Sequence, residues 1–172
     1  DQKTICLALP QFFKSTPNAH FVFAGGAFSD SQHLLDECVN ICRDHDVLDR
    51  VHFLGKRSDV SNILHSLDIY VQSSTNESQG IAVVEAMLAG LPVIVSDIGA
   101  LREVTGNGTC GAVFKAGDSD GLAKTLIELA AATTRRHELG KKGQEHATAN
   151  YSIAAHLAAL RNLYSNLLAR SD

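Results

Sequence analysis

At 172 residues, 45% hydrophobic and 20% charged, the chain has the size and mix of one ordinary globular domain. Its formal net charge of -4 argues against a nucleic-acid-binding surface, and it carries neither an apolar stretch of the ~18 residues a membrane span needs nor a signal peptide. Cys6, Cys38, Cys42 and Cys110 form no CxxC pair or zinc spacing; they read as buried structural thiols and fit a reducing, cytoplasmic setting.

Residues 2–14 read as a helix, with Ile5, Leu9 and Phe12/Phe13 on one stripe. The only methionine is Met87 and the text opens straight into this helix, so the sequence reads as a piece of something longer. "HFVFAGG" (20–26) is a short apolar run closed by two glycines, a buried strand and turn. "SDSQHLLDECVNICRDHDV" (29–47) opens with capping residues and repeats apolar positions at helical spacing. "VHFLG" reads as a strand, "SDVSNILHSL" as a short capped helix and "DIYVQSS" as a strand. A loop, a helix, a Gly-Leu-Pro turn and the strand "VIVS" follow. "ALREV" is a helical turn, "GAVF" a last strand, "DSDGLAKTLIELAAA" a capped helix, and the remainder is helical. On the last helix, 152–170, Ile153, Leu157, Leu160, Leu163/Tyr164 and Leu167/Leu168 form a stripe that reads as core packing, with a partner interface as the alternative.

Short strands that are apolar on both faces, alternating with helices, predict an α/β fold: a Rossmann-like, doubly wound parallel sheet. Ligands of such sheets sit beyond the carboxyl ends of the strands, so the loops after Ala24, Leu54, Val71 and Val95 are the ones that matter. One of them runs into "ESQGIAVVEAMLAG", where Glu85 interrupts an otherwise unbroken apolar run from Ile81 to Ala89. A carboxylate in a helix that is apolar all round is costly unless something pairs with it. The helix begins near Gly80, so its free amides and positive dipole end point into the crevice and favour an anion. Glu77 precedes that end and Glu85 lies about one and a half turns inside, with roughly 8–10 Å between their backbones. Singly, Glu77 reads equally well as a solvated loop residue or cap, and Glu85 as the partner of a buried Arg or Lys. Together they suit a ligand with both phosphate and vicinal hydroxyls, each diol hydrogen bond being worth about 1.5–3 kcal/mol. A sugar joined through phosphates to a ribose has that chemistry.

The E-x7-E spacing of Glu77 and Glu85, set in "LDIYVQSSTNESQGIAVVEAMLAGLPVIVSDIGALREV", resembles the signature of the retaining GT-B glycosyltransferases of the group 1 (family 4) type. "AGG", "VHFLG" and "GAVFKAGDSDGLA" fall in that family's order, so the resemblance covers essentially the whole chain. It implies that residues 1–172 are the C-terminal, donor-binding half of a two-domain enzyme. By resemblance Glu85 holds the ribose hydroxyls of a nucleotide sugar such as a UDP- or GDP-sugar. Glu77 contacts the transferred sugar and steadies charge near its anomeric carbon. Amides at Gln79, Gly80 and Ile81 hold the diphosphate, the loop of Gly55, Lys56 and Arg57 lies against the base, and Gly25 lines the cleft. No metal or other cofactor is expected. The implied partners are the donor, the N-terminal acceptor-binding domain and no nucleic acid. The implied place is the cytoplasm in surface-polysaccharide or glycolipid assembly, with peripheral contact at the inner membrane face through the other half. This chain alone is expected to bind nucleotide weakly and catalyse nothing.

The sequence departs from the family in three ways, one of them the absent acceptor-binding half. Its G-F-G is Ser78-Gln79-Gly80 here, and the family's central first strand, with the Arg and Lys that neutralise the diphosphate, precedes the first helix. Lys3 lies just past that lysine's place and is not assigned its role. The sheet is therefore expected to lack a strand, whose slot belongs to the parent protein, a rearrangement or a second copy. The competing reading is a non-catalytic Rossmann-like module that binds a nucleotide or docks a partner; an epimerase of similar fold lacks motif support. "DHD" at 44–46 follows a helix and reads as a solvated helix end rather than a metal clamp, and Ser73, Ser74 and Ser96 lack a nucleophile elbow.

Overall fold

The structure is a computed structural model and describes residues 1–26 and 32–168. Strands β1 (Phe21–Phe23), β2 (Val51–Phe53), β3 (Tyr70–Gln72), β4 (Val93–Ser96) and β5 (Ala112–Phe114) alternate with helices α1 (Gln2–Ser15), α2 (Gln32–Asp44), α3 (Val60–His65), α4 (Ile81–Leu88), α5 (Gly99–Val104) and α6 (Ser119–Ala131). Two further helices, α7 (Thr133–Tyr151) and α8 (Ile153–Leu168), close the order. The capping residues expected before α2 lie outside the described residues. Elsewhere the caps are explicit: Asp1 Oδ1 accepts from the Thr4 N–H, and Asp118 Oδ1 from the Gly121 N–H. Each satisfies a donor that the first helical turn leaves unpaired.

All strand pairings are parallel, as the alternation predicts. β1 pairs with β2 (Phe21 opposite Val51), and β3, β4 and β5 pair in that order (Tyr70 opposite Val93, Ile94 opposite Ala112). β4 is buried along its whole length and divides the interior. Ile94 faces a cluster built on Ile5, Leu9 and Phe13 of α1 and Leu122, Leu126 and Leu129 of α6. Val93 and Val95 face the other cluster, with Val83, Ala86 and Met87 of α4 and Leu101 of α5. A strand clad on both faces is the arrangement that makes parallel sheets uniformly apolar. Cys6, Cys38 and Cys42 sit within the first cluster, where burial pushes their thiols above the ordinary range. They act there as small apolar side chains.

The strands form two sheets rather than one, β1-β2 and β3-β4-β5. Between the edges of β1 and β3 lies a cleft of about 370 Å³, lined by Phe21–Gly25 on one side and Ile69–Ser74 on the other. Among the described residues no ladder crosses it.

Two expectations need correction. The helix carrying Glu85 is not enclosed all round: Val83, Ala86 and Met87 are buried, while Ile81, Ala82, Glu85 and Leu88 form an exposed stripe. Glu85 therefore escapes the desolvation penalty through its place on that stripe, and among the described residues it makes no ion pair. The stripe on the last helix does not pack into the core either. α8 buries no residue, its principal neighbour is α7, and Ile153 is 81% and Leu168 72% exposed. Positions 169 and 170 of that stretch lie outside the described residues.

α7 approaches the turn after α4 closely because it presents glycines there. A Cβ at Gly140 would run into the Gly90 carbonyl, and one at Gly143 would come within 3.2 Å of the Cys110 carbonyl. Gln144 Nε2 donates to the Leu88 carbonyl at 2.9 Å across the same seam. Gly140→Ala gains about 1 kcal/mol in helix propensity, but overpacking against rigid backbone costs about 3 kcal/mol. The expected outcome is a net loss of about 2 kcal/mol, read as a lower urea midpoint at unchanged slope.

Candidate functional site

The carboxyl ends of β1, β2 and β3 converge on the mouth of the cleft. The Leu54 N–H donates to the Phe23 carbonyl and the Gly25 N–H to the Gly55 carbonyl, both at 2.9 Å, so the two glycine loops run side by side. Gly25 (φ 148°) and Gly55 (φ 65°) occupy backbone conformations that favour glycine, and a Cβ on Gly25 would enter open space. Lys56 and Arg57 line the cleft from this side. Arg57 is already engaged: its Nε and Nη2 donate to both oxygens of Asp59 at 2.8 Å. That fork holds the Asp59 carboxyl below its ordinary range. Lys56 makes no ion pair among the described residues.

On the opposite side, α4 starts at Gly80, which has φ 66° and ψ 36°. That left-handed conformation costs other L-residues roughly 1–2 kcal/mol, and a Cβ there would meet Leu101 Cδ2 at 3.0 Å. The Gly80 carbonyl accepts from the Val83 and Val84 amides, and no side chain caps the helix. Its first amides, Ile81 and Ala82, therefore lack helical acceptors. Ile81 is itself 63% exposed.

Gly25, Lys56, Arg57 and Glu85 line one cleft. Glu77, Gln79, Gly80, Ile81 and Gly55 are not among the residues that line it, although each stands close in sequence to one that does. The Glu77 carboxylate accepts from the Ser78 N–H at 3.0 Å. No ion pair among the described residues involves Glu77 or Glu85. Both act on one neighbour: burial, then the charges of Glu85 and Glu77, push the Tyr70 phenol well above its ordinary range. Lys3 instead donates to Glu37 at 2.6 Å. The Asp44–Asp46 segment is an exposed helix end, and among the described residues no three His, Cys, Asp or Glu side chains are grouped to hold a metal.

The sequence did not single out a polar file on β3. Tyr70 Oη donates to Gln72 Oε1 and Gln72 Nε2 donates to Ser74 Oγ, each at 2.7 Å. The Ser74 carbonyl accepts from Ser96 Oγ, and Ser73 Oγ donates to the Asp1 carbonyl at 2.6 Å. The available signal was the period of two, which puts Tyr70 and Gln72 on one face of β3, with Ser74 two residues further on.

A parallel α/β fold with a glycine-started helix at the strand ends offers unpaired amides and a positive dipole end to an anion. Residues 1–146 match the family model described as Glycosyl transferases group 1, and the chain belongs to this family. It is 31% identical over 120 residues to the lipopolysaccharide core biosynthesis mannosyltransferase LpcC of Rhizobium leguminosarum, covering 70% of this chain and 34% of that protein. It is 31% identical over 155 residues to the D-inositol 3-phosphate glycosyltransferase of Mycolicibacterium gilvum, covering 89% and 34%. The chain thus spans about a third of these curated relatives. Among solved structures, Anabaena HepE in complex with UDP superposes with a TM-score of 0.88 at 24% identity, over 96% of this chain and 45% of that one. The C-terminal domain of LpcC from Francisella tularensis gives 0.80 at 23% identity, over 88% and 80%. Among the described residues no helix is long and apolar enough to cross a membrane.

The raised Tyr70 phenol makes a pH prediction. The folded state favours the neutral form, whereas an unfolded tyrosine ionises near pH ~10. Its contribution to stability is complete below that pH and is lost as pH rises above it. Cys6, Cys38 and Cys42 carry the same sign. Tyr70→Phe should therefore make the alkaline fall in unfolding free energy shallower without abolishing it, as read by denaturant titrations from about pH 8 to 11.

Proposed function

We propose that this chain is the donor-binding part of a retaining glycosyltransferase that transfers a sugar from a nucleotide sugar to an acceptor. One observation carries the reading: a helix start at Gly80 with no side-chain cap, Glu77 before it and Glu85 lining the cleft from the same helix, neither in an ion pair among the described residues. Glu85 accepts the ribose hydroxyls, and amides at Gln79, Gly80 and Ile81 receive the diphosphate. Gly25 leaves room beside it, and Gly55, Lys56 and Arg57 lie against the base. Arg57 presents its guanidinium in the orientation that Asp59 fixes. Glu77 takes the transferred sugar's hydroxyls and steadies positive charge at the anomeric carbon. The helix start stabilises charge that grows on the departing diphosphate, so the leaving group is assisted without a protein nucleophile. The acceptor site belongs to an N-terminal domain of the same protein, through which any contact with the inner membrane face is made. The donor is a UDP-, GDP- or ADP-sugar.

Calorimetric titration of the full-length protein against these three donors tests the reading. Glu85→Ala should weaken nucleotide binding roughly 10- to 200-fold in Kd, the loss of one or two charge-assisted hydrogen bonds. Glu77→Ala should abolish transfer while leaving nucleotide affinity within about twofold, since in this reading it touches the sugar and not the nucleotide. Transfer at wild-type rate in the Glu77 variant would favour a non-catalytic binding module instead.

A further inference from the structure

Residues 73–80 carry Glu77 from the end of β3 to the start of α4, and the span is held at its two ends rather than along its length. Thr75, Asn76, Ser78 and Gln79 are exposed, and among the described residues none of them hydrogen-bonds to another element. The Glu77 carboxylate holds only the amide of its neighbour Ser78. At the far end Gly80 is buried, and its carbonyl accepts from the Val83 and Val84 amides within α4 itself. At the near end two hydroxyls do the holding. Ser73 Oγ donates to the Asp1 carbonyl at 2.6 Å, and Ser96 Oγ donates to the Ser74 carbonyl.

Ser96 stands where that bond is needed. It is the last residue of β4 and is fully buried, while the β3–β4 register ends one residue earlier, with Gln72 opposite Val95. The Ser74 carbonyl lies past the ladder, and the Ser96 side chain gives it the partner that the sheet no longer provides. A buried hydroxyl needs a partner, and this one commits its single hydrogen to the loop. Its strand is the one packed on both faces, Ile94 in one core cluster and Val93 and Val95 in the other, so the loop is tied to a fixed point. Glu85 and the first amides of α4 do not depend on this tie, because Val83, Ala86 and Met87 anchor that helix in the core. Releasing Ser74 therefore loosens Glu77 and leaves α4 in place.

We infer that Ser96 is a positioning residue for Glu77: by holding the Ser74 carbonyl, its hydroxyl fixes where the loop leaves the sheet and so where the Glu77 carboxylate stands. The inference rests on the donor-binding reading, in which Glu77 serves transfer and α4 serves the nucleotide. It adds a buried residue on a different strand that governs the rate of transfer and not the affinity for nucleotide.

The test compares full-length wild type, Ser96→Ala, Ser96→Cys and Glu77→Ala. Affinity is titrated with UDP, GDP and ADP, and turnover is read as nucleotide release from saturating UDP-glucose, GDP-mannose and ADP-glucose with water as acceptor. Ser96→Ala should lower kcat roughly ten- to a hundredfold, as for a group displaced by about an ångström. Its nucleotide Kd should stay within about twofold of wild type, the split that separates positioning for transfer from general damage to the fold. Ser96→Cys, close in volume and a weaker donor, should show the same split, and it is the variant to read if Ser96→Ala does not fold. Turnover at the wild-type rate, or turnover and affinity falling in the same proportion, would overturn the assignment. If Glu77→Ala turns over as wild type does, or the wild type releases nucleotide from none of the three donors, the donor-binding reading fails and Ser96 has nothing to position.

Discussion

The site depends on how the backbone enters α4. At Gly80 the chain leaves the β3 loop in a left-handed conformation, pressed against Leu101 so closely that a methyl group would touch it. A helix begun with Ser, Thr or Asp would place a side-chain oxygen over the first amides and satisfy them internally. Gly80 has nothing to place there. The first amides of α4 are left without helical acceptors, and a helix N-terminus favours an anion by up to about 2 kcal/mol in a partly buried setting. The same turn sets the phase of the helix, so that Val83, Ala86 and Met87 face the core while Ala82 and Glu85 face the cleft.

Around this point the fold assembles its polar groups from two separate sheets. Gly25, Lys56 and Arg57 belong to loops after β1 and β2; Ser74 and Glu85 belong to the end of β3 and to α4. The two glycine loops are tied to each other by backbone hydrogen bonds, and β3 is tied to β4 and β5 by its ladder. No ladder ties one group to the other among the described residues. What spans them is packing: α1 lies against both sides, with Phe21, Phe23, Ile69 and Val71 all packed on the cluster it anchors. The Ser73 hydroxyl adds one direct tie, from the end of β3 to the carbonyl that begins α1.

The file on β3 supplies at the cleft wall what a loop would supply less firmly. A strand fixes the spacing of alternate side chains, so Tyr70 and Gln72 share one face of β3, and Ser74, two residues past the strand, is joined to them by the Gln72 amide. A site carried on regular elements holds its geometry better than one carried on loops. Glu77, by contrast, sits on the loop itself and satisfies one carboxylate oxygen with its neighbour's amide.

The order of elements, the parallel strands, the glycine turns and the two carboxylates were legible in the sequence, because periodicity, caps and turn chemistry are local properties of the chain. Strand ends were legible for the same reason, and with them the loops that carry Gly25, Gly55, Glu77 and Gly80. Exposure was not. Spacing says which residues share a face of a helix, but neighbours distant in sequence decide which face they cover. So the apolar text around Glu85 concealed an exposed stripe, and the apolar stripe of α8 is not buried in the core. The commitment of Arg57 to Asp59, the tie from Ser73 to Asp1 and the direction of the Tyr70–Gln72–Ser74 file depend on distances and hydrogen-bond partners that exist only once the chain is folded.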